Sequence, residues 1–170
     1  MEDPIRLHHP TKKDTKSIHR LIKNSKPLDL NSEYLYLLQS TYFSDTCIVA
    51  KKNDHVVGFV SGFISPKDKE IFFVWQVAVD STIRGHGIAI KMLKKLFNSP
   101  ELAHIKYIHT TISPSNVASQ KVFEKFADEF GFDKEISVFA TKENFEEAHE
   151  DELLYILKPI TKQGAHNEGI

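Results

Sequence analysis

The sequence predicts a single-domain mixed α/β fold, and three observations predict it. Two helix-patterned stretches come first, followed by β-branched, glycine-punctuated segments joined by polar turns. An apolar segment at residues 72–79 then runs at once into Arg84-Gly85-His86-Gly87-Ile88-Ala89 and a helical pattern. A strand–helix–strand–strand order fills the remainder. At 170 residues the chain suits one domain with a sizeable core. It shows no internal repeat, linker or low-complexity segment, so residues 1–158 form the expected domain and 159–170 a polar, loose tail.

Each element has a local reason. Residues 5–7 make a short first strand. Thr11-Lys12-Lys13-Asp14 opens a helix that carries Ile18, Leu21 and Ile22 at helical spacing and stops at Ser25-Lys26-Pro27. A second helix starts near Asn31 or Ser32, both good N-caps, and presents Tyr34, Leu35, Leu37 and Leu38. Residues 46–51 and 56–64 read as strands around an Asn53-Asp54 turn, and Gly58 and Gly62 suggest a bulge or close packing in the second of them. After the polar turn at residues 65–69 comes the 72–79 strand, then a helix over 88–97 closed by Ser99-Pro100. Residues 107–112 form a strand. Ser113-Pro114-Ser115-Asn116 turns into a helix bearing Val117, Val122, Phe123 and Phe126. Gly131-Phe132 opens a strand through Phe139, and residues 152–157 are the last strand.

Composition narrows the function classes. Twenty-two basic against 23 acidic residues leave a formal net charge of −1, which gives no support for a nucleic-acid-binding surface. The single cysteine, Cys47, excludes an intramolecular disulfide and sits in an apolar context that suits a core thiol. No apolar run reaches membrane-spanning length and the N-terminus has no signal-peptide pattern, so the expected location is cytoplasmic. No two of the nine histidines pair with acids at metal-ligand spacing, and no metal is expected.

The strand–glycine turn–helix unit carries the chemistry. Glycines between a strand and a helix often serve only the turn. Here they aim several backbone N–H groups and the positive end of a helix at one point, which makes an anion cradle suited to a pyrophosphate. No Gly-Lys-Ser/Thr follows, so this is not a Walker loop. Its position halfway along the chain argues against a dinucleotide fingerprint.

Arg84-x-x-Gly87-x-Ala89 fits Q/R-x-x-G-x-G/A, and Asn116-Val-Ala-Ser119-Gln-Lys-Val-Phe123-Glu124-Lys125 fits N-x-x-(A/S)-x-x-(L/F/V)-(Y/F)-E-K, followed by Gly131-Phe132. On these motifs the chain resembles the GCN5-related N-acetyltransferase superfamily over nearly its whole length. The runs at residues 27–34 and 43–50, Trp75-Gln76 ahead of Val77-Ala78-Val79-Asp80, and the segment at residues 149–155 are similar to the L-2,4-diaminobutyrate acetyltransferase family, which serves ectoine biosynthesis.

The resemblance implies a central, mostly antiparallel sheet with splayed middle strands, acetyl-CoA as donor, diaminobutyrate as acceptor and a homodimer. It implies that Arg84, Gly85, His86, Gly87, Ile88 and Ala89 hold the pyrophosphate. Gln76, Val77, Ala78 and Val79 would line the pantetheine, with one of their N–H groups facing the thioester oxygen. Asn116, Ser119 and Phe123 would complete the donor site. Many superfamily members carry at the Phe123 position a tyrosine that protonates the leaving thiolate; phenylalanine has no such proton.

The acceptor is a zwitterion whose amine has a pKa near ~10, so its site needs acids and a proton acceptor. Asp29, Glu33 and Asp151 are expected to bind it, with Trp75 as a wall against an ammonium. Tyr34, His149 and Glu150 are expected to move protons. Each has an ordinary alternative: a turn or cap for Asp29, the core for Tyr34 and Trp75, solvent for the acids. Other readings are acetylation of another small amine, a polyamine or a protein N-terminus, and a non-catalytic acyl-CoA-binding module.

Overall fold

The computed structural model describes residues 3–160, and the remaining tail at 161–170 lies outside the described residues. The elements in chain order are β1 (Arg6–His8), α1 (Thr15–Lys23), α2 (Glu33–Gln39), β2 (Ile48–Lys52), β3 (His55–Ile64), β4 (Ile71–Val79), α3 (Ile88–Phe97), β5 (Tyr107–Ile112), α4 (Val117–Phe130), β6 (Phe132–Ala140) and β7 (Glu152–Pro159). The strands form one sheet in the order β1-β2-β3-β4-β5-β7-β6. All neighbours are antiparallel except β4 and β5.

Strand alternation builds a core on each face. Ile48, Ala50, Val60, Phe72 and Val74 face α3 and α4, where Met92, Leu93, Leu96, Phe123 and Phe126 are buried. Cys47, Val49, Phe59 and Ala78 face α1 and α2, packing on Ile18, Ile22 and Tyr36. Burial pushes the Cys47 thiol up to about 12, in keeping with a core role.

The β2–β3 hairpin turns at Asn53 and Asp54, with φ of 50° and 60°, the left-handed pair that a two-residue turn demands. In β3, the register against β4 steps from Ser61↔Gln76 to Gly62↔Val74, leaving Trp75 as the extra residue of a β-bulge on β4. Gly62 is obligatory here: a Cβ would stand 2.3 Å from the Phe72 ring and 2.4 Å from the Phe73 carbonyl oxygen. Pairing of β4 with β5 also stops at Val74↔Thr110, although β4 continues to Val79. The middle of the sheet therefore opens just past the bulge.

Four local expectations are corrected. The first helix begins with a 3₁₀ turn at Lys12–Asp14, because Asp14 folds back to accept from the Thr11 N–H at 2.8 Å. Helix α2, capped by Ser32, buries Tyr36 and Gln39 and leaves Tyr34 67% exposed. Gly131, with φ of 67°, ends α4 in the left-handed conformation and does not open a strand. The last strand, expected over residues 152–157, runs on to Pro159, which pairs with Phe132. Among the described residues no helix is long and apolar enough to cross a membrane.

Candidate active site

A cleft of about 380 Å³ lies along the stretch of β4 that β5 does not cover. Val77, Ala78 and Val79 form one wall, and Arg84, Gly85, Gly87, Ile88 and Ala89 form its end. Asp80 shapes that end by accepting from the Thr82 N–H at 2.8 Å and its hydroxyl at 2.6 Å, which winds residues 81–83 into one 3₁₀ turn. Gly85 and Gly87 then adopt φ of 83° and 69°. A side chain would meet nothing within 4 Å at either position, so their requirement is conformational. The first N–H groups of α3 have no intrahelical acceptor and point into this end. Arg84 is fixed by donating from Nε to the Val79 carbonyl at 3.3 Å, which leaves the outer edge of its guanidinium free to meet an anion.

The opposite lip comes from α4 and from the segment after α1. Asn116 caps α4 by accepting from the Ser119 N–H at 3.1 Å, and both line the cleft. Lys26, Arg84, Lys121 and Lys125 also line it, and among the described residues no Asp or Glu does. The four cations stand out in a chain of net charge −1.

Beyond Gln76 the electrostatic sign reverses. Asp29 Oδ2 lies 3.1 Å from His149 Nε2, and Glu152 Oε1 lies 3.9 Å from the same nitrogen. His149 Nδ1 lies 2.6 Å from the Glu150 carbonyl. A carbonyl only accepts, so Nδ1 carries a hydrogen; an ionised Asp29 only accepts, so Nε2 carries one too. This arrangement favours the imidazolium, and the His149 pKa is raised by the Glu150 carbonyl and then by Asp29. Phe145 stacks on the imidazole with centroids 3.9 Å apart. Burial raises the Glu152 carboxyl above the usual carboxylate range, against the opposing pull of Thr111 and His149.

A buried relay joins the two regions. The Tyr36 hydroxyl donates to Gln76 Oε1 at 3.1 Å, and Gln76 Nε2 donates to the Asp29 carbonyl at 2.7 Å. The Asn31 N–H donates to the Tyr36 hydroxyl at 3.2 Å. The loop bearing Asp29 is thus tied to β4 one residue past the bulge.

Several expected site residues have other contacts or lie outside the cleft. Gln76 is buried and braces Asp29; it does not line the cleft. Phe123 is 2% exposed in the α3–α4 core, because its position on α4 turns inward. His86 faces a neighbouring cavity with Lys52 and Lys91. Asp151 accepts from the Lys142 N–H at 2.9 Å and anchors its own loop. Glu150 accepts from the Ser115 hydroxyl, tying that loop to the turn before α4. Glu33 lies 3.7 Å from His19 at the start of α2. Trp75 is 43% exposed at the bulge, edge-on to Phe63.

Sequence reasoning missed Tyr36, Phe145 and the separate importance of Glu152. An isolated aromatic in the acid-rich 142–151 segment was the available signal for Phe145.

The profile of the Acetyltransferase (GNAT) family matches residues 15–128. An L-2,4-diaminobutyric acid acetyltransferase of Marinococcus halophilus is 41% identical over 94% of this chain and 93% of its own. One from Vibrio cholerae is 42% identical over 89% of this chain and 88% of its own. Among solved structures, diaminobutyrate acetyltransferase EctA from Paenibacillus lautus, in complex with its substrate L-2,4-diaminobutyric acid and coenzyme A, superposes with a TM-score of 0.89. It is 40% identical and covers 92% of this chain and 96% of that one. Ard1 from Thermoplasma volcanium, at 16% identity and a TM-score of 0.72, shares the fold. A splayed sheet, a glycine cradle at its opening and relatives of this identity lead to one assignment: the chain belongs to the acetyltransferase (GNAT) family, within the L-2,4-diaminobutyric acid acetyltransferases.

Proposed function

We propose that the protein transfers the acetyl group of acetyl-CoA to the 4-amino group of L-2,4-diaminobutyrate, giving N4-acetyl-2,4-diaminobutyrate for ectoine biosynthesis. The observation that carries this reading is the reversal of charge along β4. A cationic, carboxylate-free cleft suits a polyanionic donor, and the Asp29–His149–Glu152 cluster past Gln76 suits a diamine.

In this reading the cradle from Arg84 to Ala89 holds the pyrophosphate. The uncovered backbone of Val77 to Val79 pairs with the pantetheine amides, and one of its N–H groups stabilises charge on the thioester oxygen. Asn116 and Ser119 border the donor, and Trp75 walls the acceptor pocket. Asp29 and Glu152 bind the substrate ammonium groups, with Glu33 at the rim.

The reacting amine must lose a proton before it attacks the thioester carbon. Neutral His149 keeps its hydrogen on Nδ1, pinned to the Glu150 carbonyl, and takes the amine's proton on Nε2. The C–S bond then breaks and the thiolate leaves; Tyr34, exposed on α2, supplies the thiolate's proton, which Phe123 cannot give. A cytoplasmic homodimer belongs to the same reading. Its support is the edge strand β6, which exposes Ile136, Val138 and Phe139.

The test is product analysis by mass spectrometry and NMR after incubation with acetyl-CoA and diaminobutyrate. The expected product is acetylated on N4 alone. A folded protein that binds CoA but yields no product, or acetylates N2, refutes the proposal.

A further inference from the structure

The donor cleft holds more positive charge than a diphosphate requires. Arg84 and the amides of the cradle already serve that group. Lys121 and Lys125 line the same cleft from α4. They stand four residues apart, hence on one face of the helix with Cβ atoms roughly 5–6 Å apart. Neither is committed to a strong partner. Lys125 lies 3.9 Å from Glu129, whose other carboxylate oxygen is held by Lys94 at 2.5 Å. Among the described residues Lys121 makes no ion pair.

Resting on the acetyl-CoA reading above, we infer that Lys121 and Lys125 form a subsite for the 3′-phosphate of CoA and make the enzyme prefer CoA to 3′-dephospho-CoA. A phosphate monoester carries close to two negative charges at neutral pH, which matches two ammonium groups on flexible stems. The nearby rivals fit less well. Lys26, on the segment after α1 beside Pro27 and Leu28, offers a single charge. The cavity at His86, Lys52 and Lys91 is a separate space that also contains Asp3. Three of the four positive groups of the cleft are thereby divided between the donor's diphosphate, which Arg84 meets, and its 3′-phosphate.

The test is isothermal calorimetry of the full chain with CoA and with 3′-dephospho-CoA. The proteins are the parent, K121Q, K125Q, the double variant and K91Q, each checked for its fold by circular dichroism. The parent should bind CoA about tenfold more tightly than 3′-dephospho-CoA, as expected for charge-assisted hydrogen bonds at a partly exposed site. The double variant should bind the two ligands within about twofold of each other, with its affinity for 3′-dephospho-CoA unchanged. Equal affinities in the parent overturn the inference and leave the acetyl-CoA reading standing. A double variant that keeps the full preference, or a preference abolished by K91Q, also overturns it. Failure of the parent to bind either ligand overturns the acetyl-CoA reading itself and the subsite with it.

Discussion

Asp29→Asn isolates the acceptor side of the site. The side chain keeps its shape, and Asp29 remains tied to Gln76, because that bond uses the backbone carbonyl at 2.7 Å. The negative charge 3.1 Å from His149 Nε2 is lost. A hydrogen bond between a carboxylate and a substrate ammonium is worth about 1.5–3 kcal/mol, and Asp29's exposure favours the lower end. On that basis kcat/KM for diaminobutyrate should fall about tenfold. The Kd for CoA should not move, because Asp29 does not line the donor cleft.

The same variant should shift the acid limb of the rate profile to lower pH. Asp29 helps to hold the His149 proton, and a base must be neutral to act. The stability consequence has the matching sign. A folded-state pKa raised above its ordinary value of about 6.5 stabilises below that value, and the benefit disappears as pH rises through the raised one. An ion pair this exposed contributes less than about 1 kcal/mol, so melting at pH 8 should be unaltered. Steady-state kinetics across pH, with calorimetry of CoA binding, provides the check. Parallel losses for both substrates, or an unmoved acid limb, refute the reasoning.

Three further substitutions probe the donor side, the brace and the scaffold. Arg84→Ala should weaken CoA binding about tenfold by calorimetry while the melting temperature holds, since the side chain is exposed and, among the described residues, its hydrogen bond is to Val79 at 3.3 Å. Gln76→Ala severs both the Tyr36 and the Asp29 links; the KM for diaminobutyrate should rise severalfold with little change in CoA affinity, and equal change in both would count against a brace. Gly62→Ala forces a Cβ against the Phe72 ring and the Phe73 carbonyl, and the backbone oxygen cannot yield cheaply. The cost should be about 2–3 kcal/mol, read as a melting temperature lower by roughly 5–10 °C.

Elements governed by local pattern were the most legible in the sequence. The 88–97 helix and the 107–112 strand have the bounds read from periodicity, and Gly58 and Gly62 did mark register shifts. The bulge residue itself, Trp75, was not readable, because the extra residue sits on the strand opposite the glycine. The glycine turn ahead of α3 was legible for a similar reason: its geometry is made by contiguous backbone between Val79 and Ile90.

The Asp29–His149–Glu152 cluster was harder. Asp29 and His149 are 120 residues apart and meet only through the fold. Carboxylates in an acid-rich segment look alike until burial singles out Glu152 and a loop hydrogen bond removes Asp151. Tyr34 and Tyr36 illustrate the limit. Two residues' difference on a short helix decides between solvent and core, and a seven-residue helix has too few turns for periodicity to settle its inward face.

The bulge at Trp75 divides the molecule's evolutionary prospects. The proposed donor cleft beyond it is walled chiefly by β4 and by the first turns of α3 and α4, where substitutions would disturb the packing of sheet and helix. Asp29 and His149, the proposed partners of the amine, ride on connecting segments, which can be recast without disturbing that frame. A descendant with a new acceptor would therefore be expected to differ first in those segments, keeping the acyl-handling half as inherited.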